Sequence, residues 1–194
     1  HKVNPTPVGI LVCDRPWRDH QAWFAKAGIP EIPHYSLRDV DYPWLSLRNG
    51  DIPALFGGLV DAIDLPPGSL LLIDPLPLFL PGRRFDYKEM AIGFGLLDQQ
   101  LKPRQITALG VFHVGKQKAS KQDRYMRPQD RILGSAALIG YSETAFYLLS
   151  PEEAEQSCYE FGAISHQAPP ITLEYKRTPN GLFVPASDLE RVEG

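Results

Sequence analysis

The sequence is poor in cysteine, with only Cys13 and Cys158 among 194 residues. Two thiols so far apart build neither a disulfide framework nor a zinc cluster, and they read as buried, reduced side chains of a cytoplasmic protein. Long hydrophobic runs are lacking as well. The longest, Leu70–Ile73 continued by Leu76, Leu78, Phe79 and Leu80, is broken by Asp74, Pro75 and Pro77. A membrane span needs roughly 20 apolar residues, so no membrane partner is expected. The polar, proline-bearing N-terminus has no signal-peptide pattern. Excess charge is small, −3 in all. That argues against a general coating of nucleic acid but leaves room for a local basic patch, because steering depends on where charge sits. There is no internal repeat, low-complexity tract or compositional break, so residues 1–194 read as a single domain. The first residue is His1 rather than methionine, as in a processed, trimmed or partial N-terminus.

What is present is a composition of 43% hydrophobic and 22% charged residues, ordinary for a soluble globular protein. Val8–Cys13 (VGILVC) is a continuous apolar run that ends at Asp14, the pattern of a strand buried on both faces. Asp19–Ala27 places Trp23, Phe24 and Ala27 at helical spacing, and Gly28 ends it. Residues 29–50 are rich in proline, aromatics and charge, with Ile32–Ser36 a possible short strand. Ile52–Ile63 reads as a helix, Pro66-Pro67-Gly68 as a turn, and Ser69–Asp74 (SLLLID) as a second buried strand ending in an acid. Tyr87–Gln100 is a further helix. Gln105–His113 (QITALGVFH) is a third buried strand, ending in histidine.

Residues 114–130 are basic and without periodicity. Leu133–Ile139 reads as a short helix, Thr144–Leu149 as a fourth strand and 151–156 as helical. Ile171–Tyr175 and Leu182–Val184 flank Thr178-Pro179-Asn180-Gly181, a hairpin signal. Residues 157–170 carry no assignment. Apolar strands alternating with helices predict an α/β fold: a mainly parallel central sheet flanked by helices, extended by a C-terminal antiparallel hairpin.

Ligands of open parallel sheets bind beyond the carboxyl ends of the strands, and three strands here deliver Asp14, Asp74 and His113 to that edge. A hydrocarbon strand ending in a carboxylate must give that charge solvent, a metal or a donor. Asp74 suits a water-mediated magnesium contact, although Asp-Pro also starts ordinary turns. Asp14-Arg15-Pro16 also fits a self-paired turn. After His113 come Gly115-Lys116 and a loop with Lys118, Lys121, Arg124, Tyr125, Arg127 and Arg131. Such cations attract backbone phosphates and an aromatic stacks on an unpaired base, while a plain solvated loop has the same composition.

In order, SLLLIDPL (69–76), ALGVFHVGK (108–116), the basic loop and RPQDRILGSAALIGYSETAFYLL (127–149) resemble the RecA-fold ATPases. The resemblance is nearest to the hexameric replicative helicases and the RepA-like plasmid and phage helicases. It spans roughly Val8 to Val184, and Gly134-Ser135 stands where those helicases often have Ser-Gly. The resemblance implies ATP and Mg²⁺ as cofactors, with Asp74 as the Walker B acid and His113 as the γ-phosphate sensor. Asp14 falls where the family has the glutamate that polarises water, one methylene longer. Lys116, Lys118, Lys121, Arg124, Tyr125 and Arg127 would face single-stranded DNA. Arg131 and Lys176 would contact nucleotide, and Arg177 would serve the neighbouring subunit's nucleotide in a homo-oligomeric ring, a hexamer by likeness.

One part of that pattern does not occur in the sequence. Gly-x-x-x-x-Gly-Lys-Ser/Thr, the loop that cradles phosphates, is absent: Gly57-Gly58 lacks the lysine, and Gln117 follows Gly115-Lys116 where a hydroxyl is needed. The family carries that loop on the βα unit before the strand at Val8. Two expectations follow. Either the unit lies upstream and the chain is the motor domain of a DNA helicase or replication ATPase, or the chain is a non-catalytic scaffold on the same fold.

Overall fold

The computed structural model describes residues 5–37, 39, 52–80, 87–112, 140–150, 158–178 and 183–189. The chain divides into two compact units, His1–Lys118 and Ala119–Gly194.

In the first unit, Val8–Val12 forms strand β1 because a partly β-branched apolar run can be buried on both faces of a pleated strand. Helix α1 follows at Trp17–Ala27, starting two residues before the periodic run read from the sequence. It stops at Gly28, whose φ of 67° suits glycine, and Ile29 N–H donates to Phe24 O across the cap at 2.9 Å. The short strand β2 (His34–Ser36) pairs parallel to β1. Helix α2 (Ile52–Ile63) brings Phe56, Leu59, Val60 and Ile63 to one face. Strand β3 (Leu70–Asp74) pairs parallel to β1 on its other side, from Val8 opposite Leu70 to Val12 opposite Asp74. A 3₁₀ turn at Leu76–Phe79, helix α3 (Tyr87–Leu101) and strand β4 (Thr107–Gly110) complete this unit.

The resulting sheet has the order β2-β1-β3-β4, all parallel. Alternation along β1 sends Leu11 and Cys13 into a large core with α2 and α3, where Phe56, Leu71, Ile73, Phe79 and Leu97 pack. It sends Ile10 and Val12 to the opposite face, against Trp17 and Phe24 of α1. Helices on both faces are what a parallel sheet of apolar strands requires.

In the second unit, strands β5 (Thr144–Leu149), β6 (Tyr159–Ser165), β7 (Ile171–Arg177) and β8 (Phe183–Pro185) form an antiparallel meander in chain order. A short helix, α4 (Ala186–Leu189), follows. Tyr147, Gly162 and Thr172 lie in one row across three strands. A Cβ on Gly162 would collide with the Tyr147 ring, so only glycine admits that ring. The Tyr147 hydroxyl donates to Glu160 Oε1 at 3.0 Å and lies 3.4 Å from Thr172 Oγ1.

Three expectations change. Thr144–Leu149 and the closing hairpin belong to a separate antiparallel sheet instead of extending the parallel one, because β5 alternates exposed and half-buried residues and meets its neighbours through short reversals. The unassigned stretch contains β6, its pattern interrupted by Gly162. The third strand is shorter than Gln105–His113, and Thr107, Ala108 and Leu109 are exposed instead of buried because β4 is an edge strand of its sheet. The helices read at 133–139 and 151–156 lie outside the described residues.

Candidate functional site

The register of β1 against β3 brings their acidic ends together. Val12 sits opposite Asp74, and Cys13 N–H donates to Asp74 O at 2.8 Å, so Asp14 leaves β1 one residue beyond that bond. Both carboxylates therefore occupy the carboxyl edge of the parallel sheet, where such folds receive ligands. Asp74 is half-buried and begins a cis Asp74–Pro75 bond that leads into the 3₁₀ turn. That turn is tied to β4 through Leu76 N–H to Val111 O at 3.0 Å, and Val111 N–H bonds Ile73 O at 2.9 Å. Gly110 makes the tie possible, because a Cβ there would strike the Leu76 side chain.

The Cys13 thiol reports on both acids. Its pKa is pushed far up, first by burial, then by the negative charge of Asp74, then by that of Asp14. The thiol stays protonated and makes no thiolate chemistry. Asp14 keeps about a third of its side-chain surface exposed, and its partner Arg15 is distant at 3.9 Å. That is a loose surface pair, worth little against solvent, and the self-paired turn does not sequester the carboxylate.

The loop after β1 is fixed by residues that sequence reasoning passed over. Asp39 Oδ2 accepts the Trp17 N–H at 2.8 Å, satisfying a donor at the start of α1 from 22 positions away. Ser36 Oγ donates to Arg15 O at 3.3 Å, and Leu37 N–H to Val12 O at 2.9 Å. The Trp17 and His34 rings stack with centroids 3.8 Å apart, and the Arg15 guanidinium lies 5.3 Å from the centre of the Trp23 ring. The only sequence signal for this layer was the aromatic richness of residues 29–50.

The remaining candidates are distributed as follows. His113, Lys116, Lys118, Lys121, Arg124, Tyr125, Arg127 and Arg131 lie outside the described residues, although β4 and its extension through Phe112 run to the same sheet edge. Lys176 and Arg177 are exposed at the end of β7, opposite Val184 and Phe183 respectively. Being consecutive on a strand, they project to opposite faces of the meander.

Among the described residues no three histidine, cysteine, aspartate or glutamate side chains cluster as a metal held by protein alone would need. Two hard carboxylates at one edge instead fit Mg²⁺, which takes one or two carboxylates and fills its shell with water and substrate phosphates. The described helices include none long and apolar enough to cross a membrane.

No protein-family model and no curated protein matches the chain. Among solved structures it is similar to the ATPase domain of a replicative helicase, with a TM-score of 0.61 and 15% identity over 93% of this chain and 74% of that one. A KaiC-like protein from the hyperthermophilic archaeon Pyrococcus horikoshii OT3 matches at a TM-score of 0.49 and 16% identity, covering 93% of this chain and 77% of that one. With its parallel, helix-flanked sheet and separate antiparallel sheet, the chain has the fold of the RecA-like ATPase domains.

Proposed function

We propose that this chain is the ATP-dependent motor domain of a ring-forming DNA helicase or replication ATPase of the plasmid and phage kind. One observation carries the reading: Asp14 and Asp74 converge, from adjacent parallel strands, on the ligand-receiving edge of a RecA-like sheet. Bound ATP and Mg²⁺ supply the transferable phosphoryl group and the positive charge that balances it. Asp74 holds the hydrated metal. Asp14, half-buried yet open to solvent, accepts a proton or hydrogen bond from the attacking water. His113 reads the γ-phosphate, and Arg131 and Lys176 contact the nucleotide. Arg177 is offered to a neighbouring copy. Lys116, Lys118, Lys121, Arg124, Tyr125 and Arg127 hold single-stranded DNA. The site is completed by a phosphate-binding loop outside these 194 residues.

The full polypeptide should hydrolyse ATP with Mg²⁺ and turn over faster with single-stranded DNA. Asp74→Asn should lower kcat about 100-fold or more, with far less effect on nucleotide affinity. No turnover with DNA and Mg²⁺ present would sink the reading.

A second reading is a non-catalytic scaffold on the same fold. Aspartate at position 14, one methylene short of the family's glutamate, favours it. This reading predicts no heat of ATP binding in calorimetry together with retained self-association, and micromolar ATP binding would exclude it.

A further inference from the structure

The β5–β8 meander is strongly amphipathic, and its apolar side is exposed. Direct cross-strand pairs set the faces: Phe146 lies opposite Ala163, Leu148 opposite Phe161, Phe161 opposite Leu173, and Arg177 opposite Phe183. Ring contacts agree, with Phe146 stacked on Phe161 at 5.8 Å and Tyr159 edge-on to Phe183 at 4.9 Å. The other side holds Tyr147, Glu160, Thr172, Glu174 and Lys176, which is an ordinary solvated face.

On the apolar side Phe146, Leu148, Ile171, Leu173 and Phe183 are each between 42% and 53% exposed. Together they present on the order of 500 Å² of apolar surface, near the upper end of the largest patch a soluble monomer normally shows. With Phe161, Tyr159 and Tyr175 between them, the face approaches the roughly 800 Å² that each partner contributes to a standard protein interface. Strand β5 carries no charge and no proline, the devices that keep a free sheet from associating.

We infer that this face docks a second copy of the chain. Two features choose that occupant. The area matches what a stable homomeric interface needs, and homomeric interface cores are apolar and depleted in charge, as this one is. Strand parity also puts Arg177 at a corner of this same face, the one charged side chain among the described residues there. Resting on the ATPase reading, this explains how Arg177 reaches another subunit: the apolar face seats the neighbour, and the arginine at its border is carried across with it. Lys176, on the opposite face, is not carried across.

Sedimentation equilibrium of the chain without nucleotide tests the inference. The weight-average mass should reach at least twice the single-chain 21.7 kDa at concentrations on the order of 100 µM. Leu148→Glu and Leu173→Glu should return it to the single-chain value, whereas Thr172→Lys on the polar face should leave association unchanged. Arg177→Ala should also associate normally. A wild-type chain that stays monomeric overturns the inference whatever the variants do, as does association indifferent to both Leu148→Glu and Leu173→Glu. ATP turnover by a strictly monomeric protein would leave the ATPase reading standing without the docking face. Face-dependent association in a full polypeptide that does not hydrolyse ATP would do the reverse.

Discussion

Cys13 sits between two acids with its Sγ 3.9 Å from Leu11 O, and the protein holds its proton far more tightly than solvent does. A thiol whose folded pKa is raised contributes its stability fully below the unfolded value, about 8.5, and loses it as pH climbs toward the folded value. Urea titrations from pH 8 to 10 should therefore show stability falling, at a slope approaching about 1.4 kcal/mol per pH unit from this group alone. Cys13→Ala should remove that component, and the difference between the two slopes is the measurement. Gly110 makes a second test at this scale. A methyl placed there meets Leu76 Cγ at 3.0 Å and Cβ at 2.9 Å, and a Cβ, unlike a side-chain tip, cannot swing aside. Gly110→Ala should cost about 1–3 kcal/mol in chemical denaturation. Asp14 and Asp74 were legible in the sequence because each ends a hydrocarbon run abruptly. Asp39 was not, since its bond to the Trp17 N–H exists only once β2 and α1 are side by side.

Elements were read well where one period dominated, as in α2, α3 and β5. They were missed where a residue served a neighbour instead of its own strand. Gly162 lowers the strand character of β6 because its space belongs to the Tyr147 ring. The exposure of β4 was likewise hidden, since an apolar run does not say which strands flank it. The tie between β2 and α1 belongs at this scale too. Asp39→Ala should cost about 0.5–2 kcal/mol, the usual value of a helix N-terminal acceptor, and raise amide exchange in the first turn of α1. Loss of stability without faster exchange at Trp17 would mean that Asp39 acts elsewhere.

For the molecule as a whole, a net charge of −3 places the burden of DNA binding on the basic stretch 116–131. If its cations meet phosphates, log K should fall linearly with log salt, and each of Lys118→Ala and Lys121→Ala should reduce the slope by about 0.7 for single strands. An unchanged slope in fluorescence anisotropy would remove those residues from the interface. Fold class was readable because strand-end chemistry and strand order survive in one dimension. The division into two sheets was not, because pairing partners are a property of three.

The two sheets also differ in how far apart their paired residues lie along the chain. Val8 meets Leu70 across about 60 residues, whereas Leu149 meets Glu160 across about ten. Closing the longer loops costs more entropy and takes more time, so the meander should acquire amide protection first during refolding. Its apolar side is then assembled while the parallel sheet is still searching for its register. At high protein concentration that interval is when the chain is most prone to aggregate, so refolding yield should rise on dilution.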